Sequence, residues 1–330
     1  MPLDLHFGAD DFLRVRFAIS PLCETHEAVR TLRRTERHGY HRPWLRRLRE
    51  TVAGLDLSPL WLFMPSPGYT PDFLGRPPDV PLAGFDEELA RLRATDPAVA
   101  RAEMAKSLAC VPGAAGSARG RAALADPARA VRELADVTER AWHALLAPDW
   151  PRLRALLEAE IAYRSRQLAD GGLKLLFADL HPRLAWSGDT LTVRTRTDFV
   201  QVQDLDGRGV LLLPSVFVWP DVVSGFDPPW QPTVIYPARG IGGLWSEPEA
   251  GPALVRLLGA NRAAVLAALD TPATTTALAH RLGLAPSSVS AHLSVLRDAG
   301  LLASRRDGHQ VRYERTPLGI ALAAGGRSGG

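Results

Sequence analysis

The chain has 330 residues, of which 46% are hydrophobic and 23% are charged, with a formal net charge of +3. This length accommodates two domains with sizeable cores, and the composition excludes a disordered or fibrous chain. The longest apolar run, Gly209–Pro220, is too short to span a bilayer, and Met1–Phe7 does not resemble a secretion signal. Both cysteines, Cys23 and Cys110, are expected to be reduced, so we expect a soluble cytoplasmic protein.

The positive charge is concentrated towards the carboxyl end of the chain. Residues 252–330 contain nine Arg against four acidic residues, a net charge of +5, which leaves −2 for the remainder. A basic module attached to a nearly neutral body is typical of a nucleic-acid reader joined to a second domain.

The chain begins with short predicted elements. Leu3–Phe7 alternates apolar and polar residues and predicts a strand. Asp10 or Asp11 can cap a helix that extends to Ile19, after which Pro21 restarts the chain. Helical patterns follow at about 26–36 and 43–54.

The stretch of the chain from Arg30 to Arg49 is rich in arginine residues. They could contact DNA phosphates or simply form a solvated helix face, and we favour the solvated face. The arginines concerned are Arg30, Arg33, Arg34, Arg37, Arg42, Arg46, Arg47 and Arg49.

The middle of the chain predicts helices first and strands later. After a Pro- and Gly-rich loop at 63–84, helical patterns occupy 85–94, 97–110, 127–147 and 151–169. Alternation then predicts a strand at Thr190–Thr197. Strands at Phe199–Leu205 and Val210–Val218 would form a hairpin through Asp206-Gly207, and one more strand could follow at Thr233–Tyr236.

These patterns predict an α+β protein. A mainly helical N-terminal domain with a small antiparallel sheet would occupy residues 1–245. Pro248, Gly251 and Pro252 mark the boundary, and a DNA-binding domain would occupy residues 246–330.

The last domain contains the most specific pattern. A helix over Ala253–Leu269, interrupted near 259–261, precedes a short helix, Thr276–Leu282, that Thr274 or Thr275 caps and that Gly283 ends. Pro286 begins the next helix, in which Val289, Leu293 and Leu296 form one buried stripe that leaves small polar residues on the opposite face.

A basic hairpin follows this pair of helices. Leu301–Arg306 and Gln310–Arg315 flank Asp307-Gly308, a strong hairpin turn. Two helices, a tight turn and a basic hairpin in this order predict a winged helix-turn-helix that binds double-stranded DNA. The residues expected to face DNA are Thr275, Pro286, Ser287, Ser288, Ser290, Ala291, His292, Ser294, Arg297, Arg305, Arg306, His309, Gln310 and Arg312.

Residues 282–302, LGLAPSSVSAHLSVLRDAGLL, closely resemble the recognition region of the ArsR/SmtB family of winged-helix repressors. The resemblance covers about 80 residues, and the architecture is similar to long regulators with an uncharacterised N-terminal domain. It implies a homodimer on a palindromic operator and control by a ligand. Dimers of this family pair through a terminal helix.

The chain departs from the metal-sensing members of that family. Thr274 and Thr276 stand where those members have a Cys-x-Cys pair, and Leu318–Ala324 offers no His or acidic ligand. His280 and His292 lack partners at ligand spacing. We therefore expect neither a metal site nor a cofactor.

No catalytic motif is evident in the sequence, so we expect a regulator that is not an enzyme. Cys23 with His26 could form a reactive thiolate, although a structural cysteine is favoured, and Gly240–Gly243 reads as a plain turn. The alternative is a small-molecule enzyme or a protein-interaction adaptor fused to a DNA-binding module. A closed apolar pocket lined by Trp61, Phe63, Trp186 or Trp219 would favour a sensor of a small-molecule effector.

Overall fold

The structure, a computed structural model, describes residues 2–35, 38–194, 201–226, 230–245, 252–270, 272–307 and 310–325. The chain forms two compact units, Met1–Ile241 (unit 1) and Gly242–Gly330 (unit 2). None of the helices within the described ranges has the length and apolarity that crossing a membrane requires. The architecture is α+β, as the sequence predicts.

Helices make up most of unit 1, which also contains short 3-10 turns. The helices are α1 (Pro21–Arg33), α2 (Arg42–Arg47), α3 (Arg49–Ala53), α4 (Ser58–Phe63), α5 (Phe85–Arg93), α6 (Pro97–Ala109), α7 (Ala118–Ala125), α8 (Pro127–Ala141), α9 (Trp150–Ala178) and α10 (Ile241–Leu244), which crosses the boundary between the units. A π-helical turn, Trp142–Leu146, extends α8. The predicted helices at 85–94 and 97–110 are confirmed nearly to the residue.

Local capping explains where several helices begin. The Ser20 hydroxyl accepts a hydrogen bond of 2.9 Å from the Cys23 amide, and Pro21 fixes the first backbone angle of α1. Asp126 likewise accepts from the Arg129 amide at 3.0 Å ahead of Pro127. The first of these caps makes α1 begin five residues earlier than the apolar pattern predicted.

The predicted helix from Asp10 to Ile19 is wrong. A 3-10 turn covers only Ala9–Arg14 and a short strand follows it. The Asp11 carboxylate accepts from the amides of Gly8 (2.9 Å) and Gly209 (2.7 Å), so it holds a distant loop as well as its own turn. That second partner lies almost 200 residues away, and no local pattern reveals it.

The first sheet of unit 1 has the strand order β3-β4-β1-β5. Its strands are β1 (Pro2–His6), β3 (Leu184–Ser187), β4 (Thr190–Arg194) and β5 (Gln201–Asp204). Leu3 lies opposite Val193, and Leu5 opposite Leu191, in antiparallel register. These four side chains are buried, so the alternation predicted for β1 and β4 is confirmed.

The second sheet has the order β2-β6-β8-β7, with strands β2 (Arg16–Phe17), β6 (Leu211–Ser215), β7 (Val223–Gly225) and β8 (Thr233–Pro237). Strand β6 is parallel to both β2 and β8. Leu212 packs into the core shared with the first sheet, whereas Leu211 and Leu213 pack on the other face with Cys23 of α1. Burial on both faces explains why this strand is apolar without alternation.

The predicted hairpin through Asp206-Gly207 is therefore wrong. Strands β5 and β6 belong to different sheets, and both sheets contain parallel as well as antiparallel pairs. The turn itself exists, with positive φ at Asp206 and Gly207, but it passes the chain from one sheet to the other.

Unit 2 contains five helices and a three-stranded sheet among its described residues. The helices are α11 (Pro252–Leu258), α12 (Ala260–Ala268), α13 (Thr275–Leu282), α14 (Pro286–Asp298) and α15 (Pro317–Gly325), and the strands are β9 (Ala273–Thr274), β10 (Leu302–Asp307) and β11 (Gln310–Arg315), in the order β10-β11-β9. The predicted interruption near 259–261 is confirmed, because Gly259, with φ +79°, separates α11 from α12.

Helix α1 carries an unusual number of polar side chains into the core of unit 1. Glu24 is 1% exposed, and its Oε2 accepts from the Val216 amide at 3.0 Å. Burial raises the pKa of Glu24 to about 8, against the lowering effect of hydrogen bonds from Ser215 and Val216. Burial likewise raises the pKa of Glu88 to about 7. At neutral pH the Glu24 carboxyl therefore favours the protonated form in the folded protein.

We predict that Glu24→Gln stabilises the protein increasingly as the pH rises. A carboxyl whose pKa is raised on folding supports the fold fully below its unfolded pKa, and this support disappears as pH rises through the folded pKa. Between the reference pKa of 4.5 and about 8, the advantage of the glutamine variant over the wild type should grow by about 1.4 kcal/mol per pH unit. Denaturant unfolding of both proteins at several pH values measures this difference.

Glu133→Gln provides the matched control, because Glu133 is exposed on α8. That substitution should leave the pH profile of stability unchanged. A Glu24→Gln profile parallel to that of the wild type would contradict the protonated state of Glu24.

Candidate nucleic-acid interface

Helices α13 and α14 are joined by a tight turn whose ends are set by local chemistry. The Thr274 hydroxyl accepts from the Ala277 amide at 3.2 Å and caps α13. Gly283, at φ +63°, ends that helix in the left-handed conformation that favours glycine. Pro286 then begins α14, as predicted. The core beneath the pair contains Leu278, Ala279, Val289, Leu293 and Leu296.

The start of α14 presents a small, polar and exposed surface. Pro286, Ser287, Ser288, Ser290 and Ala291 are exposed. Small side chains at this position allow close approach to the edges of bases in a major groove.

The N-terminus of α14 also offers backbone donors. Residue Ala285, which occupies the N-cap position, has no side chain that could satisfy the first amides of the helix. Uncapped amides together with the helix dipole form a site for an anion such as a phosphate. The sequence prediction did not include Ala285. An alanine directly before Pro286 nevertheless indicates a helix start whose first amides lack a side-chain cap.

Strands β10 and β11 bring two arginines face to face. Arg305 lies directly opposite Arg312 in the antiparallel register, and both are exposed. Like charges placed opposite each other on a ladder repel. A phosphate group near the pair would offset the repulsion with charge-assisted hydrogen bonds. Arg306 is also exposed and lies opposite Val311.

The hairpin is fixed to the helix pair at its base. Strand β11 pairs with β9, so that Arg312 lies opposite Thr274, the residue that caps α13. The Arg315 guanidinium donates to the carbonyls of Leu266 (2.8 Å) and Ala267 (2.5 Å) at the end of α12. These contacts hold the hairpin and the helix pair in one geometry, and sequence reasoning did not identify Arg315 as a positioning residue.

Three further residues predicted to face DNA, Thr275, His292 and Ser294, are half-buried and therefore less accessible than the start of α14. Arg297 is exposed and forms an ion pair of 3.1 Å with Asp298. Gln310 begins β11, and His309 lies outside the described residues. The exposed amino end of α14 and the arginine-bearing face of the hairpin therefore form the core of the candidate interface.

Neither position at which the metal-sensing members of the ArsR/SmtB family have a cysteine carries a thiol here. Thr274 uses its hydroxyl to cap α13, and Thr276 is exposed. Within the described ranges, no three or more His, Cys, Asp or Glu side chains are grouped so as to hold a metal ion. Metal independence of DNA binding stays a prediction.

The geometry of unit 1 argues against a reactive thiolate at Cys23. The thiol is buried, and burial raises its pKa. His26, three residues along α1, shares a hydrogen bond of 3.0 Å with the Thr138 hydroxyl, and burial lowers its pKa to about 3. Neither group is poised for nucleophilic chemistry.

The tryptophans named as possible pocket residues lie in separate clusters. Trp186 stacks on Phe177 and contacts Phe7 edge-on, whereas Trp219 packs against Tyr40. A surface cavity of about 490 Å³ in unit 1 is instead lined largely by polar groups, including Asp10, Asp11, Asp189, Asp204 and Asp206. Trp186 and Trp219 therefore do not line one common pocket.

Two stretches of the chain match known protein families. Residues 257–305 match a family described as a helix-turn-helix domain, and residues 90–242 match a family of unknown function, DUF5937. The chain is a helix-turn-helix DNA-binding regulator of transcription. Searches of curated proteins and of solved structures found no match.

We predict that the hairpin of this regulator determines affinity and that α14 determines sequence preference. Arg305→Ala combined with Arg312→Ala should weaken binding to all duplexes and reduce the salt dependence, d log K/d log [salt], by roughly two units. Ser288→Ala should instead change the preference at one or two base pairs. Binding titrations over a range of salt concentrations, with duplexes selected from a random library, measure both effects.

Arg256→Ala combined with Arg262→Ala is the matched control, because both are exposed arginines of unit 2 outside the interface. An unchanged salt slope in the Arg305/Arg312 variant, or an equal reduction in the control, would show that the hairpin does not contact phosphates.

Proposed function

We propose that this regulator is a ligand-responsive repressor of the ArsR/SmtB type, which binds a palindromic operator as a homodimer. The observation that carries the proposal is the uncapped, small-residue start of α14 in the same rigid unit as the opposed Arg305 and Arg312. Bases would be read by α14, and the hairpin would act as the wing on the DNA backbone. We further propose that the chain regulates by binding and has no catalytic activity.

Support for a homodimer comes from apolar side chains that α15 presents to solvent. Leu318 is 60% exposed and Ile320 55%. Gly319 lets the helix approach the Leu301 carbonyl so closely that a Cβ would lie 2.1 Å from its oxygen. The helix is thus held tightly on unit 2 while two large apolar residues remain available for a second copy.

Helix α15 is too short to form a stable interface by itself. It has nine residues, and a standard interface buries about 800 Å² on each partner. Pairing therefore needs further surface, which Leu257 of α11, 66% exposed, and unit 1 could supply. We propose that unit 1 provides a share of the dimer contacts.

We also propose that unit 1 holds the site at which an effector acts. Two recognition helices must match half-sites about one turn of DNA apart, roughly 34 Å. A ligand that changes how the two copies pair would alter this spacing and with it the operator affinity. Repression follows if the unliganded dimer has the spacing that the operator requires.

We predict that DNA binding does not respond to zinc, cadmium or arsenite. The basis is that Thr274 and Thr276 occupy the positions of the metal-binding cysteines and that Thr274 caps α13. Operator titrations with a chelator, and then with each metal in turn, should give the same affinity. A saturable loss of affinity specific to one metal would contradict this prediction.

We predict that the fragment 246–330 dimerises and binds its operator more weakly than the full chain. Unit 2 has its own apolar core, so the fragment retains the DNA-reading surface but lacks the contacts proposed for unit 1. Sedimentation and operator titration of both proteins test this expectation. Equal dimerisation and equal affinity would show that unit 1 is dispensable for pairing.

A further inference from the structure

The structure divides the arginine-rich segment of unit 1 into two groups. Four of the eight arginines contact other parts of unit 1. Arg30 donates to the Thr70 hydroxyl at 2.6 Å, and Arg33 donates to the Trp61 carbonyl at 3.2 Å. Arg34 donates to the Ser66 carbonyl at 2.8 Å, and Arg47 pairs with Asp149. Arg37 lies outside the described residues. Arg30, Arg33, Arg34 and Arg47 therefore make contacts within unit 1 and do not simply form a solvated helix face.

The second group comprises Arg42, Arg46 and Arg49, which we call the arginine face. All three side chains are exposed, and none has an ion-pair or hydrogen-bond partner among the described residues. A single non-helical residue, Leu48 (φ −91°, ψ 6°), separates α2 from α3. Arg42 and Arg46 are four residues apart and lie on one side of α2, and Arg49 begins α3 directly after the turn.

The segment that carries the arginine face is anchored in the core. Trp44 of α2 has no exposed surface and packs against Phe217, with ring centroids 4.9 Å apart. Leu45 and Leu48 are half-buried. These contacts fix the segment, so the arginine face is presented to solvent by an anchored element.

The charge of the arginine face is not balanced locally. Glu50 is the one acidic residue in the sequence from 38 to 55, and within the described part of the chain it forms no ion pair with the three arginines. The chain outside residues 252–330 has a net charge of −2, so general basicity of unit 1 does not explain the face. Like charges at i and i+4 repel each other on a helix, and a polyanion would remove that cost.

We propose that the arginine face is a second contact site for the phosphate backbone of duplex DNA. Arg42 and Arg46 are separated by about 6 Å along α2, a length over which a duplex presents roughly three phosphate charges, and Arg49 extends the face beyond them. Guanidinium groups suit phosphate oxygens because they donate paired hydrogen bonds. The proposal rests on the DNA-binding function of the chain and adds a sequence-independent contact from unit 1.

The test compares full-length variants on a mixed-sequence duplex of about 40 base pairs, with binding measured between roughly 50 and 300 mM salt. The variant R42Q/R46Q/R49Q should reduce the salt slope by roughly 2.7 units, about 0.9 for each arginine. The corresponding Arg→Lys variant should keep the slope of the wild type. The matched control is R101Q/R132Q/R166Q, which removes three exposed arginines dispersed over α6, α8 and α9 and should leave the slope unchanged.

Each other outcome overturns the proposal. An equal loss of slope in the dispersed control would indicate a net-charge effect. An unchanged slope in the triple variant, with a reduced slope in the Arg305/Arg312 variant, would reject this site while the proposed function stands; no change in either would reject both. If the triple Gln variant lost the binding to phosphatidylserine vesicles that the wild type shows, while its DNA binding stayed unchanged, the arginine face would be a membrane contact. If circular dichroism shows the triple Gln variant unfolded, the three single variants, each expected to lose about 0.9 units, decide the question.

Discussion

In unit 2 the hairpin packs on the same apolar core as the helix pair, and it pairs with β9, the strand directly before α13. The DNA-binding geometry depends on this connection. Arg315 donates to two carbonyls at the end of α12, and β11 pairs with the residue that caps α13. The exposed hairpin would otherwise be a two-stranded ribbon, which is marginally stable in water. Because its base is fixed, Arg305 and Arg312 can remain opposite each other despite their repulsion.

In unit 1 a different interaction fixes the elements around α1. Buried carboxyl groups on α1 and α5 hold backbone amides at positions where sheet and helices meet. Glu24 accepts from Val216, and Glu88 accepts from the Leu22 amide at 2.9 Å. A protonated carboxyl can satisfy such an amide without the cost of a buried charge. The helix is thereby fixed against the loop that follows β6.

The sequence predicts unit 2 well because its signals are local. A capping threonine, a glycine in the left-handed conformation and a proline at the first helical position each act within a few residues, so α14 begins at Pro286 as expected. The contacts that sequence reasoning missed are long-range. Asp11 accepts from Gly209, β2 pairs with β6 almost 200 residues away, and Arg315 reaches α12. A strand buried on both faces, such as Leu211–Ser215, also lacks the alternation that identifies a half-buried strand.

DNA recognition by this regulator requires that the amino end of α14 meets the bases. Site-specific photo-crosslinking tests this most directly, with a benzophenone amino acid introduced in place of Ser288 in one protein and in place of Leu318 in another. Both positions are exposed, but only Ser288 lies at the start of α14. We expect position 288 to crosslink to duplex DNA. We expect position 318 to crosslink to a second copy of the chain and not to DNA. Crosslinking of DNA from position 318 and not from position 288 would contradict this expectation.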